Sequence, residues 1–186
     1  MSDRVAVPLR RAYKLINHGP TTLITSASGG RQNVMAAAWV MGLDYDPPKL
    51  AAVIAADTFT RPLVEASGEF VVNVPTAAMA ASVYAVGSVS GAEQDKLATH
   101  ALRTSPASIV GAPLIEGCAA WLECKVIPEP DMQRRYDLFF AEVVAAWADP
   151  ESFVDGVWRF SRDEKRTIHH LSGGVFLATG DRVEPA

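Results

Sequence analysis

Apolar and polar positions along the chain change period several times, and each change marks an element. Over residues 8–17, Leu9, Ala12, Tyr13 and Ile16 recur at helical spacing with Arg10, Arg11 and Lys14 off that face, which predicts a short amphipathic helix. Two runs of β-branched and small apolar residues follow, TTLITSAS and NVMAAAWVMGL, separated by Gly29-Gly30. They read as a hairpin. Residues 44–48 form a turn with paired prolines, and residues 50–56 are an unbroken apolar run, the pattern of a strand buried on both faces.

The segment DTFTRPLVEASGEF places two threonines and a proline at the start of a short helix that stops near Gly68. Residues 70–74 read as a strand closed by Pro75, residues 76–86 as an Ala-rich helix, and residues 93–100 as a second short helix after a glycine-containing loop. From about Ile115 the chain turns strand-rich, through CAAWLECKVI and YDLFFAEVVAAW to a last strand over residues 167–171. The expected fold class is mainly β with α, a small Greek-key-type barrel with flanking short helices. No repeat or linker divides the chain, so a single domain over residues 1–186 is expected.

Composition narrows the function. With 49% hydrophobic and 20% charged residues, 186 residues suffice for a packed core. A net charge of -4 argues against a nucleic-acid partner, which needs clustered Lys and Arg. No apolar stretch approaches the roughly 20 residues of a spanning helix, so no membrane role is expected. The opening Met-Ser-Asp-Arg-Val lacks the apolar core of a secretory signal, which makes the cytoplasm the expected location. Cys118 and Cys124 fall in one expected strand, about 20 Å apart, so they read as buried, reduced thiols.

Common catalytic signatures are missing. There is no GxGxxG after a strand, no GxxxxGK followed by Ser or Thr, and no GxSxG elbow. His169 and His170 are adjacent, so on a strand they point to opposite faces and do not share a metal ion. No metal is expected, and no catalytic acid, base or nucleophile stands out.

Three segments nevertheless suit an anionic ligand with a flat ring. Asn33, Val34, Met35, Ala36, Ala37 and Trp39 lie in a strand of mostly small side chains, on which a planar ring can approach backbone amides. Taken alone, composition favours an Ala-rich strand packed under a helix. Thr58, Thr60 and Arg61 open a helix, where free N–H groups, hydroxyls and a guanidinium favour a phosphate; plain capping by Thr60 is the alternative. Ser90-Gly91 and Asp95-Lys96 flank another helix start, with Lys96 either reaching a phosphate or a neighbouring subunit, or simply solvated.

In this order the segments resemble the flavin reductase-like family, the FMN-binding split β-barrels that include flavoredoxin and the reductase components of two-component monooxygenases. The residues that carry the resemblance are Asn33-Val34-Met35-Ala36 with Trp39, DPPKLAAV, Thr60 through SGEFVVNVP, Ser90-Gly91 with Asp95-Lys96-Leu97, and PLIEGCAAWLEC followed by LFFAEV. It implies a homodimer with FMN near the subunit interface, its ring against the strand from Asn33 to Trp39 and its phosphate near Thr58 and Thr60. It tips the first two segments toward cofactor binding.

The sequence departs from the family pattern twice. Arg135-Tyr136-Asp137 stands where many relatives carry a His in the strand before LF-x-x-EV, and Thr58 holds a position often filled by Arg, Lys or Ser. The resemblance implies an oxidoreductase that moves electrons from NADH or NADPH through flavin to a monooxygenase component or another acceptor. The alternative is a non-enzymatic FMN carrier reduced by a protein partner, toward which the missing His leans. A split barrel holding haem, with His169 or His170 as axial ligand, or a deazaflavin is a third reading.

Overall fold

The computed structural model describes residues 4–185; the opening Met-Ser-Asp, on which part of the expected cytoplasmic location rests, lies outside them. Strand β1 (Val5–Ala6) leads into a 3-10 helix at Leu9–Leu15, and β2 (Thr22–Ser28) and β3 (Arg31–Ala37) form the first hairpin. A second hairpin, β4 (Val40–Tyr45) and β5 (Pro48–Val53), precedes α1 (Thr60–Ser67), β6 (Glu69–Val74), α2 (Ala80–Gly87) and α3 (Lys96–Thr99). The short β7 (Thr104–Ser105) and β8 (Leu114–Ile115) come before β9 (Ala120–Ile127), α4 (Pro130–Tyr136) and the long β10 (Leu138–Ala148). Two small hairpins finish the chain: β11 (Phe153–Val154) with β12 (Val157–Trp158), then β13 (Ile168–Ser172) with β14 (Val175–Ala178).

The main sheet runs β3-β2-β6-β9-β10-β5-β4, with β1 added to β10, and its neighbours are antiparallel. Its two edges, β3 and β4, are consecutive in sequence and unpaired with each other, so the barrel stays open between them. Ala38 and Trp39 bridge that gap. The β2–β3 turn needs two residues with positive φ, and Gly29 and Gly30 supply +56° and +77°. Gly68, at φ +69°, ends α1 by donating its N–H to Val64 O at 2.8 Å.

The central strands are buried on both faces, because alternate residues feed different cores. Along β6, Phe70 and Val72 enter the barrel interior with Ile24, Leu122 and Phe139, whereas Val71 turns outward to Leu23, Trp121 and Val83 and Val86 of α2. The outer core therefore seats α2 over the sheet. Among the described residues, no helix is long and apolar enough to cross a membrane.

Several boundaries differ from the sequence pattern. The expected helix over residues 8–17 is a 3-10 helix, whose three-residue turn aligns Ala12 and Leu15 on one buried face; Leu9, at its first position, is 40% exposed. NVMAAAWVMGL is two edge strands broken at Ala38-Trp39, and the helix over 76–86 is a 3-10 turn at Ala77–Met79 continued by α2. The strand expected over 50–56 covers Pro48–Val53, and the helix over 93–100 is reduced to α3, started by Asp95, whose carboxylate accepts from the Ala98 N–H at 3.1 Å. Arg135 and Tyr136 close a helix rather than sitting in a strand, with Asp137 left-handed at its end. Cys118 precedes β9 instead of sharing it with Cys124; both thiols are free and buried, and burial pushes both pKa values up.

Candidate cofactor site

A cleft in two chambers lies beside the edge strand β3. The polar chamber, about 280 Å3, is bounded by Asn33, Met35 and Ala36, by Asp57, Thr58, Phe59 and Thr60 leading into α1, by the loop from Val86 to Gly91, and by Lys96. The apolar chamber, about 240 Å3, is bounded by Ala36, Ala37 and Ala38, by Val83, Tyr84, Gly87 and Ser88 of α2 and its end, by Thr21, and by His170, Gly173, Gly174 and Phe176 of the last hairpin. Ala36, Gly87 and Ser88 line both, so the chambers form one elongated groove.

Burial fixes the polar end. Asn33, 3% exposed at the root of β3, donates from Nδ2 to Thr60 Oγ1 at 2.9 Å and ties the strand to the start of α1. No side chain caps α1; Arg61 donates its N–H to Thr58 O at 3.2 Å and Pro62 has none, which leaves the Thr60 N–H for the chamber. Thr58 donates its hydroxyl to Ala55 O at 2.8 Å, leaving the oxygen free to accept. Gly91 is required by close approach: a Cβ there would stand 2.7 Å from the Phe59 ring and closer still to Asn33 Oδ1. Phe59 in turn lies under the Arg31 guanidinium, 4.3 Å from ring centroid to Cζ.

Lys96 is the cation of this chamber. It is 5% exposed and donates from Nζ to Val86 O at 2.8 Å and Val89 O at 3.1 Å, so it holds the loop that follows α2 and is not a solvated side chain. Burial lowers its pKa to about 8. Asp57 lines the same chamber but is exposed at its rim.

The structure separates the other expected site residues. Met35, Ala36, Ala37, Thr58 and Thr60 line the groove beside Asn33 and Lys96. Val34 does not: adjacent strand residues face opposite ways, and its side chain is fully buried in the outer core. Trp39 is 75% exposed outside the groove, in the gap between β3 and β4. Arg61 points away from the chamber. Its guanidinium bonds Asp137 at 2.6 Å, Glu65 at 2.7 Å, and the carbonyls of Gln133 and Ile54 at 2.8 and 3.2 Å, with the Phe139 ring 5.1 Å away. One residue further along a helix turns a side chain by about 100°, so Thr60 and Arg61 cannot both face the ligand.

Sequence reasoning missed Phe59, Tyr84, Ser88 and Phe176, and weighed His170 only as a metal or haem ligand. The loop GSVSG carries a usable signal in its paired serines and glycines, but nothing local marks Tyr84 or the last hairpin. His169 and His170 do face opposite ways: His169 meets His18 at a ring separation of 5.7 Å, and His170 lines the apolar chamber.

Fold and groove together define a mainly β split barrel with a two-chambered cleft along its open edge. The model of the flavin reductase like domain matches residues 16–167, and the chain belongs to that family. An uncharacterized protein of Escherichia coli (strain K12), YddH, is 42% identical over 186 residues, covering 98% of each chain. Among solved structures, an FMN-binding domain of a flavin reductases-like enzyme from Shewanella baltica OS155 superposes with a TM-score of 0.97 at 44% identity, over 100% of this chain and 98% of that one. Flavoredoxin of Desulfovibrio vulgaris (Miyazaki F) shares the fold at a TM-score of 0.78 and 23% identity, over 90% of each chain.

Proposed function

We propose that this protein binds FMN along both chambers and acts as an FMN-dependent oxidoreductase, taking electrons from NADH or NADPH and passing them to a monooxygenase component or another acceptor. The continuity of the chambers carries the reading. Each alone falls below the ~300 Å3 at which small-molecule sites begin, and joined they exceed it. They therefore suit one elongated ligand, polar at one end and flat at the other.

The polar end offers a phosphate the uncommitted hydroxyl hydrogen of Thr60, the Thr60 N–H at the start of α1 and the positive charge of Lys96, and Thr58 joins them by turning its hydroxyl from Ala55 O to the ligand. At the apolar end, Ala36, Ala37 and Ala38 let a ring lie close to an edge strand whose outward amides have no ladder partner. A bound flavin supplies the hydride-accepting chemistry, so this chain needs no acid, base or nucleophile of its own. Its residues bind, orient and shield.

Titration with FMN, followed by quenching of flavin fluorescence, is expected to show saturable uptake. Stopped-flow absorbance of the loaded protein is then expected to show bleaching with NADH or NADPH. Bleaching by dithionite but by neither nucleotide would assign the carrier reading instead, which is supported by α4: Asp137 is held by Arg61, and no imidazole stands at residues 135–137. Absence of uptake would remove both.

The same reading makes the protein a cytoplasmic homodimer of one-domain chains. Met41, Leu43 and Tyr45 of β4 are 59%, 47% and 63% exposed, and Trp39 just before the strand is exposed too. These four put exposed apolar side chains on and beside the edge strand that borders the open gap. Light scattering at micromolar concentration is expected to give the mass of two chains; the mass of one would overturn the dimer.

A further inference from the structure

We propose that the β13–β14 hairpin makes the flavin a retained group rather than a released one, with His170 hydrogen-bonding the polar edge of its ring. The proposal rests on the flavin reading above and extends it to an element beyond the residues that the family model matches. That match ends at residue 167, and the hairpin begins at Ile168. The barrel builds the polar chamber and the β3 wall, and the hairpin adds the opposite wall.

The hairpin is held in register from both ends. Thr21 donates its N–H to Ile168 O at 2.7 Å and receives the His170 N–H on its hydroxyl at 2.7 Å, so the residue that lines the chamber floor also fixes the strand above it. On the opposite face, His169 Nδ1 is 3.0 Å from Gly19 O, which leaves His170 directed to the chamber. At the tip, Gly173 and Gly174 turn with φ +54° and +84°. A Cβ on Gly174 would come 2.8 Å from the Tyr84 ring, so the turn lies flat on α2 and closes the end of the groove.

His170 is free to bind. Its ring rests against Phe176 at 5.4 Å, and among the described residues neither ring nitrogen takes a hydrogen bond. Either tautomer of the imidazole keeps one N–H donor and one acceptor. A flavin ring carries carbonyl oxygens and an N–H on one edge only, which matches a single polar group in a wall otherwise made of glycine and phenylalanine.

Because His170 is exposed, its replacement leaves the fold intact, and binding reads the side chain directly. In FMN titrations, His170→Ala is expected to weaken binding about tenfold, the scale of one lost hydrogen bond to a ring, and to shift the visible flavin band. His170→Gln restores both. Gly174→Val, which lifts the tip from Tyr84, is expected to speed FMN release on dilution. Wild-type affinity and spectrum in His170→Ala, or equal losses in the Ala and Gln variants, would overturn the role of His170 while leaving the flavin reading in place. A wild-type protein that takes up no FMN would overturn both.

Discussion

Asn33 Nδ2 and Thr60 Oγ1 are joined by a buried hydrogen bond of 2.9 Å that links the edge strand to the start of α1. The two residues lie 27 positions apart in the chain, and their bond sets the distance between the two sides of the polar chamber. Thr60→Val keeps the shape and strands the Asn33 amide, at a cost of about 1–3 kcal/mol. Thermal melting is expected to fall accordingly, with FMN binding weakened about tenfold, whereas Thr60→Ser retains both.

Lys96 ties FMN affinity to pH. A phosphate favours the charged lysine, so affinity is full below a pKa of about 8 and declines as pH rises through it. Folding stability moves the other way: the buried lysine has a folded pKa below its ordinary 10.5, so its destabilising effect is relieved between about 8 and 10.5. Lys96→Met is expected to bind FMN weakly and to lose this pH dependence. Titrations at several pH values check it.

Arg61 acts on the fold and not on the ligand. Arg61→Met breaks ion pairs with Glu65 and Asp137 and leaves two carbonyls without their donor, a loss of about 2–3 kcal/mol given that both carboxylates are partly exposed. Denaturant unfolding should show the loss. FMN affinity of the folded variant is expected to stay close to that of the wild type.

His18 makes the protein acid-sensitive. Burial, and secondarily the charge of His169, lowers its pKa from 6.5 to about 4. The folded state prefers the neutral ring, so nothing is lost above 6.5, and stability declines as pH falls from there toward 4, by at most about 1.4 kcal/mol per pH unit. His18 Nε2 also meets Thr167 Oγ1 at 2.9 Å, so His18→Phe lowers stability at neutral pH. Its melting temperature should vary less with pH across this window.

Much of the fold was legible because local signals agreed with the final packing. Gly29-Gly30 marks a turn that only residues tolerant of positive φ can make, and Gly68 stops α1 where its pattern ends. The ordered segments at Asn33, Thr58 and Lys96 located the groove because small residues, hydroxyls and a lysine are chemically distinctive. Less legible were α4 and β14, and the two-residue strands β11 and β12. Elements this short lack a periodic signal and form because neighbouring strands receive them.

The sequence by itself determined a mainly β chain, its family, and which side-chain chemistries stand near the ligand. Only the tertiary structure decided where those side chains point. Thr60 and Arg61 are neighbours in sequence, yet one lines the groove and the other braces α1 against α4, because the phase of a helix against its surroundings is fixed by packing. Likewise, His170 lies far along the chain from Ala36, and only the seating of the last hairpin against Thr21 and Tyr84 brings them to one chamber.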